Sequence, residues 1–173
     1  AFLCPGHVSV ITGSSIYIDL SEKYNKPFVV GGFEGEHILA AIYEIVKQIS
    51  SGQHCMKNLY ESAVSYEGNK NALDLIHKYF CSTNDYWRGI GIIKNSGLKL
   101  KDEYHEFDAG SIFESINENN PKGCRCTDVI LGRINPMECP LFGKVCTPMS
   151  AIGPCMVSTE GTCGIWYKNR EAN

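Results

Sequence analysis

Residues 28–33 read Phe28-Val29-Val30-Gly31-Gly32-Phe33, a short apolar run that follows Pro27 and contains a glycine pair. A run of this kind is typical of a strand that is buried on both faces of a parallel sheet. Apolar residues then recur three and four positions apart from Ile38 to Ile49, which predicts an amphipathic helix that stops at Ser51-Gly52. Because a buried strand followed by a helix begins a βαβ unit, this stretch predicts an α/β fold with a mainly parallel sheet.

The flanking sequence continues the same alternation of strands and helices. We expect a helix over residues 8–24 interrupted at Gly13, a strand at 59–66, a helix at 72–80, a third strand at 90–93 and a charged helix over 101–118. Residues 117–122 are polar, contain a proline and are the expected linker. The predicted organisation is an α/β domain over residues 1–116 and a small irregular cysteine-rich domain over 117–173.

Composition excludes several classes of protein. The 173 residues carry 16 basic and 19 acidic side chains, for a net charge of -3, without the long basic run expected of a nucleic-acid-binding protein. The apolar stretches are shorter than the roughly 18 residues that cross a bilayer, and no secretory leader opens the chain. These features predict a soluble cytoplasmic protein with neither nucleic-acid nor membrane partners. Because the chain begins with Ala1 and soon enters an interior type of motif, we treat it as compatible with a segment of a longer protein.

Nine cysteines are distributed unevenly along the chain, and six of them fall within forty residues. Those six are Cys124, Cys126, Cys139, Cys146, Cys155 and Cys163. Glycine and proline surround nearly every one, which predicts tight turns whose backbone amides point at a buried anion. In a reducing compartment, this density indicates metal ligation or redox chemistry.

Three interpretations of the six cysteines remain open. An iron-sulfur site accounts for the turn-forming backbone and gives a leftover cysteine pair a redox use. Structural zinc sites are usually built from knuckles with two to four residues between ligands, which the spacing of Cys124 and Cys126 fits poorly. The third interpretation is disulfides or inert thiols.

Two turns in the sheet region carry polar side chains that suit a site. Pro5-Gly6-His7-Val8-Ser9 places a histidine and a hydroxyl at a turn into a helix, and Gly31-Gly32-Phe33-Glu34-Gly35 places a carboxylate after a strand. Open α/β sheets bind ligands at such strand ends. The alternatives are a simple helix cap for Ser9, a satisfied histidine for His7 and a solvated carboxylate for Glu34.

These motifs together resemble the C-terminal half of HypD, the hydrogenase formation family. Pro5 to Gly13 matches its P-x-H-V-S-x-x-x-G motif, Gly32-Phe33-Glu34 its GFE motif, and Asn95-Ser96-Gly97-Leu98 another recurrent segment. Most specific is the segment from Pro121 to Cys163, which reproduces the family's C-x14-C-x6-C-x16-C pattern. The cysteines that match this pattern are Cys124, Cys139, Cys146 and Cys163.

The resemblance implies that these four cysteines hold a [4Fe-4S] cluster and that Cys126 and Cys155 form a redox-active dithiol or disulfide beside it, similar to ferredoxin:thioredoxin reductase. It implies a scaffold that assembles the Fe(CN)2CO group of [NiFe]-hydrogenase with a HypC-like chaperone and a HypE-like cyanide donor, for transfer to the hydrogenase large subunit. A redox-active assembly scaffold is favoured over a stand-alone enzyme. The alternative is an iron-sulfur thiol-disulfide oxidoreductase.

The resemblance also implies roles for four polar residues. His7, Ser9 and Glu34 would lie near the cleft that holds the iron, and Glu160 would manage protons or orient a neighbour of Cys163. The chain departs from the family after Gly32-Phe33-Glu34, where Gly35-Glu36-His37 replaces a proline and an acidic residue. The family's N-terminal half, which holds the iron of the Fe(CN)2CO group, has no counterpart in these residues, so we expect that the chain alone does not assemble that group.

Overall fold

The computed structural model describes residues 1–87, 90–110 and 121–170. The chain forms two compact units, Ala1–Phe80 and Cys81–Asn173. The predicted domain boundary between residues 116 and 117, and residues 117–120 of the predicted linker, lie outside the described ranges. Within the described ranges, no helix combines the length and the apolar character that crossing a membrane would require.

The first unit contains a parallel sheet of three short strands. These are β1 (Phe2–Cys4), β2 (Phe28–Val30) and β3 (Met56–Asn58), in the order β1-β2-β3. Phe28 pairs with Phe2 on one side and with Met56 on the other. All three residues of the central strand β2 are buried, and Val29 and Val30 are 0% exposed. The prediction of a buried parallel strand at the start of residues 28–33 is therefore confirmed.

Four α-helices and one 3-10 helix surround this sheet. They are α1 (Gly6–Thr12), the 3-10 helix Ser15–Tyr17, α2 (Ile18–Tyr24), α3 (Gly35–Ser51) and α4 (Lys70–Tyr79). The helix expected over residues 8–24 is thus divided at Gly13, whose φ of 81° stops α1. Backbone bonds from Ser14 and Ser15 to the carbonyls of Ser65 and Tyr66 anchor the break. Gly52, with φ 68°, ends α3 at the predicted place.

Helix α3 packs against β1 and β2 through a small buried face. Its fully buried residues are Ala41 and Gln48. The Gln48 side chain accepts a hydrogen bond from the Cys55 amide at 3.0 Å and donates one to Glu44 at 3.2 Å. A glutamine thereby ties the helix to the segment that enters β3, at a position the apolar pattern does not single out.

The strand predicted at residues 59–66 was wrong in position, whereas the strand predicted at residues 90–93 is present but pairs in a different sheet. Residues 59–66 form turns, and β3 lies just before them. Its pairing with β2 ends at the hydrogen bond that the Leu59 amide donates to the Val30 carbonyl, at 2.9 Å. Residues 91–93 belong to β5 (Gly91–Leu100), which pairs with β4 (Phe80–Trp87) in a separate two-stranded sheet. The charged segment after it contains a 3-10 helix, Asp102–Phe107, instead of the start of an α-helix, and residues 111–118 lie outside the described ranges.

The cysteine-rich part of the second unit is built from short helices and turns. Its elements are α5 (Cys126–Ile130), the 3-10 helix Pro136–Glu138, α6 (Pro154–Val157) and α7 (Thr162–Asn169). Helix α6 contacts α7, and α5 contacts both. Together with the parallel three-stranded sheet, this arrangement gives a mixed α/β protein, as the sequence predicted.

Candidate functional site

Cysteines form most of the buried core of the second unit. The eight buried residues of this core are Cys126, Val129, Cys139, Phe142, Cys146, Cys155, Met156 and Cys163. Cys124, which is partly buried, packs against them. All six cysteines are free thiols. The fold therefore brings together six thiols that are spread over forty residues of sequence.

The glycines of this region allow the backbone to approach the sulfurs closely. A Cβ at Gly153 would lie 2.6 Å from the Cys124 sulfur and 3.3 Å from the Cys126 Cβ. A Cβ at Gly161 would overlap the carbonyl of Cys155. Because any larger residue would push these segments apart, both glycines are required for the close packing of the thiols.

Backbone amides point at two of the sulfurs. The Ile152 amide donates to Cys146 Sγ and the Cys155 amide donates to Cys126 Sγ, each at 3.4 Å. The thiol of Cys155 also donates to Cys163 Sγ at 3.1 Å. Amide donors favour the charged thiolate form of a cysteine, so the backbone is already arranged to support anionic sulfur.

Without a bound cation, burial disfavours the negative charge of a thiolate in this cluster. It raises the pKa of Cys124 and of Cys163 above the usual value for a thiol. Repulsion from neighbouring sulfurs adds to the effect of burial, because Cys126, Cys139 and Cys146 each disfavour a negative charge on these two residues. Thiolates in this cluster would therefore be stabilised by a positively charged centre among them.

The donor set fits a soft metal centre. Only thiols converge here, and thiolates select zinc, iron-sulfur clusters and copper(I) over the hard cations. Among residues 1–87, 90–110 and 121–170, no three or more His, Cys, Asp or Glu side chains have the arrangement that would hold a single metal ion. The chemistry of the donors, their burial and the amides aimed at them are the features that fit a metal group.

The polar residues proposed in the first unit lie at neighbouring strand ends. His7 follows β1 and Glu34 precedes α3 after β2, and the His7 and Phe33 rings are 4.3 Å apart. A Cβ at Gly6 would lie 3.0 Å from the Gly31 carbonyl, so the two loops touch. The two motifs that the sequence singled out are therefore adjacent in space.

The three residues differ in accessibility. His7 and Glu34 are exposed, and Glu34 occupies the N-cap position of α3 without a side-chain capping bond. Ser9 is 0% exposed. Its hydroxyl donates to the Pro5 carbonyl at 2.7 Å and lies 3.1 Å from the Tyr17 hydroxyl. Ser9 is thus neither a helix cap nor an open hydroxyl; it fixes the turn that presents His7.

Glu160 lies in the second unit, three residues before Cys163. It is exposed, and its amide donates to Ser158 Oγ at 3.2 Å. The turn that contains Glu160 leads through Gly161 into α7, which carries Cys163. Glu160 is therefore close in the chain to one of the thiols, while its carboxylate faces solvent.

His37 is a residue to which sequence reasoning assigned no role. Its Nδ1 is buried and has no hydrogen-bond partner within the described part of the chain. The ring lies 5.6 Å from that of Tyr60, and a Cβ on Gly32 would overlap Nδ1. The only signal in the sequence is its place directly after the Gly32-Phe33-Glu34 motif, where the chain departs from the family pattern.

Comparisons with known proteins agree with this arrangement of motifs. The family model HypD, described as the hydrogenase formation hypA family, matches residues 1–170. A Methanocaldococcus jannaschii protein that carries the provisional name hydrogenase expression/formation protein is 48% identical over 175 residues, which are 98% of this chain and 48% of that protein. A hydrogenase maturation factor HypD of Bradyrhizobium diazoefficiens is 40% identical over 98% of this chain and 45% of its own length.

The hydrogenase maturation factor HypD of Escherichia coli is 38% identical over 99% of this chain and 47% of its own length. The chain thus spans about half the length of the curated relatives it matches. Since the family model covers nearly every residue and the relatives align from end to end of the chain, this protein belongs to the HypD family of hydrogenase formation proteins.

Proposed function

We propose that this chain acts in hydrogenase maturation and that its cysteine-rich domain, over residues 117–173, holds a [4Fe-4S] cluster. The proposed ligands are Cys124, Cys139, Cys146 and Cys163. The observation that carries the proposal is the clustering of six free thiols in one buried core. Membership of the HypD family supports it, since the relatives are named as maturation factors.

The local backbone favours a cluster over a structural zinc site. An iron-sulfur cluster with four thiolates is a buried anion, and hydrogen bonds to its sulfurs lower the cost of burying that charge. The Ile152 amide, which donates to Cys146, is such a bond. Zinc would use four thiols and leave two without a function.

Cys126 and Cys155 are the proposed redox pair. Oxidation of the two thiols to a disulfide releases two electrons and two protons, and reduction takes them up again. The Cys155 amide is 3.4 Å from Cys126 Sγ, so the two residues are neighbours. The Cys155 thiol also touches Cys163, a proposed ligand. When bound, the cluster would supply electrons one at a time, and two of them together with two protons would reduce a Cys126–Cys155 disulfide to the two thiols.

The first unit supplies the remaining proposed contacts. We assign His7 and Glu34, which are exposed at adjacent strand ends, to hydrogen bonding or proton transfer at the iron of an Fe(CN)2CO group. Ser9 positions His7 through its bonds to Pro5 and Tyr17. Glu160 is the proposed proton-handling residue beside the thiols. His7, Ser9 and Glu34 belong to the proposed domain over residues 1–116.

The proposed partners are a HypC-like chaperone and a HypE-like cyanide donor, with the hydrogenase large subunit as the final acceptor. The iron of the Fe(CN)2CO group would be substrate rather than a resident cofactor of this chain. We further propose that it is held mainly by sequence that the longer relatives carry outside the matched part.

Anaerobic reconstitution with iron and sulfide tests the cluster. We expect about four irons and four sulfides per chain and a brown chromophore that Cys139→Ala abolishes, because an iron loses its thiolate. The matched control is Cys126→Ala, which removes a buried thiol outside the ligand set and should leave the chromophore. Colourless protein with stoichiometric zinc would refute the proposal, as would equal bleaching in the two variants.

A second experiment separates assembly from thiol-disulfide exchange as the purpose of the cluster. This chain, joined to the remaining sequence of a longer relative, is incubated with the chaperone and the cyanide donor, and infrared spectra are recorded. Bands of iron-bound cyanide and carbonyl support the scaffold. Catalytic turnover of a protein disulfide without such bands would instead favour an iron-sulfur oxidoreductase.

A further inference from the structure

Helix α3 has a largely apolar side that is exposed within the described part of the chain. The buried side carries Ala41 and Gln48. The opposite side, which we call the outer α3 face, consists of Ile38, Leu39, Ile42, Tyr43, Val46 and Ile49. These six residues are between 37% and 69% exposed. By helical position they form one continuous stripe, and the charged residues Glu36, Glu44 and Lys47 lie outside it.

This face is large for a free surface. At these exposures the six residues present on the order of 600 Å² of mostly apolar surface, at the upper end of the roughly 300–600 Å² that is typical of the largest apolar patch on a monomer. Most of the apolar side chains of the predicted amphipathic helix are therefore exposed, whereas the residues buried against the sheet are Ala41 and Gln48. A surface of this kind is typical of an interface.

The lengths of the relatives indicate which surface covers it. The aligned 175 residues are only 48% of the Methanocaldococcus jannaschii relative, so that protein carries about as much sequence again. An area of about 600 Å² on one side is in the range of contacts between domains of one chain. Covalent linkage favours such a contact further by raising the effective concentration.

We propose that the outer α3 face docks the part of the HypD protein that lies outside the region matched by this chain. The surface it receives is apolar and uncharged at its centre, because the stripe offers no ion-pair partner. This proposal depends on membership of the family and not on the iron-sulfur cluster, so it stands or falls separately from the proposed function.

Carbene footprinting of two proteins tests the proposal. One is this chain, and the other is the natural full-length Methanocaldococcus jannaschii relative. We expect the peptide that contains Leu39 to Ile49 to be labelled at least five-fold more in this chain than the aligned peptide is in the relative. The α4 peptide with Leu75, which is 54% exposed, is the control and should differ by less than two-fold.

A variant confirms the location in a complementary way. The remaining sequence of the relative is joined to this chain, and Val46→Cys is labelled with maleimide in the chain alone and in the joined protein. We expect at least ten-fold slower labelling of Val46→Cys in the joined protein, with Leu75→Cys unchanged. Circular dichroism and size-exclusion chromatography establish that both proteins are folded.

Three results would overturn the proposal. The first is strong labelling of the aligned peptide in the full-length relative. The second is protection of Val46→Cys in the chain alone that grows with concentration, which would assign the face to a second copy. The third is protection in the joined protein only after a HypC-like chaperone is added, which would assign the face to that partner.

Discussion

Cys4 and Cys55 are thiols of the first unit with opposite surroundings. Cys4 is 4% exposed at the end of β1, and burial raises its pKa to about 11. Cys55 is exposed, next to the Gln48 side chain. Because the thiolate is the reactive form, the burial and the raised pKa of Cys4 both slow its alkylation, and the exposed Cys55 should react first. The sequence around Cys4 and Cys55 does not reveal that one thiol is buried and the other exposed.

The raised pKa of Cys4 predicts a loss of stability in alkali. The folded protein holds this proton more tightly than the unfolded chain, so the stabilisation is complete below pH 9 and is lost as the pH rises toward 11. At pH 10 we expect a loss of about 1 kcal/mol relative to pH 8. Urea unfolding of wild type and Cys4→Ala at both pH values measures it, since the variant lacks this contribution. If the unfolding free energy of the two proteins depended on pH in the same way, the loss could not be assigned to Cys4.

Gly13 and Gly52 both have positive φ, but only Gly13 is enclosed. A Cβ on Gly13 would lie 2.6 Å from the Gly68 amide nitrogen, whereas a Cβ on Gly52 meets nothing within 4 Å. We expect Gly13→Ala to lower the free energy of unfolding by more than about 3 kcal/mol, and Gly52→Ala by only about 1 kcal/mol. Denaturant titration of the two variants tests the difference. Equal losses of unfolding free energy would show that the positive φ alone, and not the close contacts around Gly13, sets the cost of the substitution.

At this scale the sequence identifies candidate residues better than it identifies their contacts. The glycine and proline neighbours of Cys155 and Cys163 predicted the turns that bring thiols together. Ser9 was left open between cap and site because its partner, Tyr17, is eight residues away and meets it only through the break at Gly13. His37 was assigned no role, since its place after the Gly32-Phe33-Glu34 motif does not reveal that its Nδ1 is buried without a hydrogen-bond partner among the described residues.

At the scale of elements, α4 begins with a capping interaction that can be measured. The Asn69 side chain accepts a hydrogen bond from the Ala72 amide at 3.0 Å. We expect Asn69→Ala to destabilise the first unit by about 1 kcal/mol, because a free amide at the helix start loses its partner. Asn71→Ala is the matched control: this exposed asparagine lies inside α4, where alanine is the better helix former. Thermal unfolding followed by circular dichroism would contradict the capping role if both variants lost equal stability.

Elements defined by strong local patterns were predicted well, and those defined by pairing were not. The repeat of apolar residues and the position of Gly52 predicted α3, and the apolar run that begins at Phe28 predicted β2. In contrast, Met56–Asn58 is a strand only because β2 lies beside it, and nothing in its three residues alternates. Likewise, β5 pairs with β4 and not with a strand of the parallel sheet. This choice of partner depends on tertiary contacts that the periodicity and composition of the sequence do not encode.

At the scale of the whole molecule, the two units are stabilised differently. The first has a core of aliphatic and aromatic residues, among them Tyr17, Phe28 and Val30. In the second, five of the eight buried residues of the cysteine-rich core are cysteines. A core of small thiols buries little apolar area, so it gains less from the hydrophobic effect than a core of Leu, Ile and Phe would. Metal ligation is the interaction that would compensate for this.

This difference predicts where a bound cluster stabilises the chain. The proposed thiolate ligands come from segments between Cys124 and Cys163, so ligation should slow opening of the elements that carry them. We expect anaerobic reconstitution with iron and sulfide to slow amide hydrogen exchange in α6 and α7 by at least ten-fold and to leave β2 and α3 unchanged, as measured by mass spectrometry. Cys139→Ala, treated in the same way, should show no slowing. Slower exchange throughout the first unit, or unchanged exchange in α7 of the brown protein, would mean that these thiols do not stabilise their own fold through the metal.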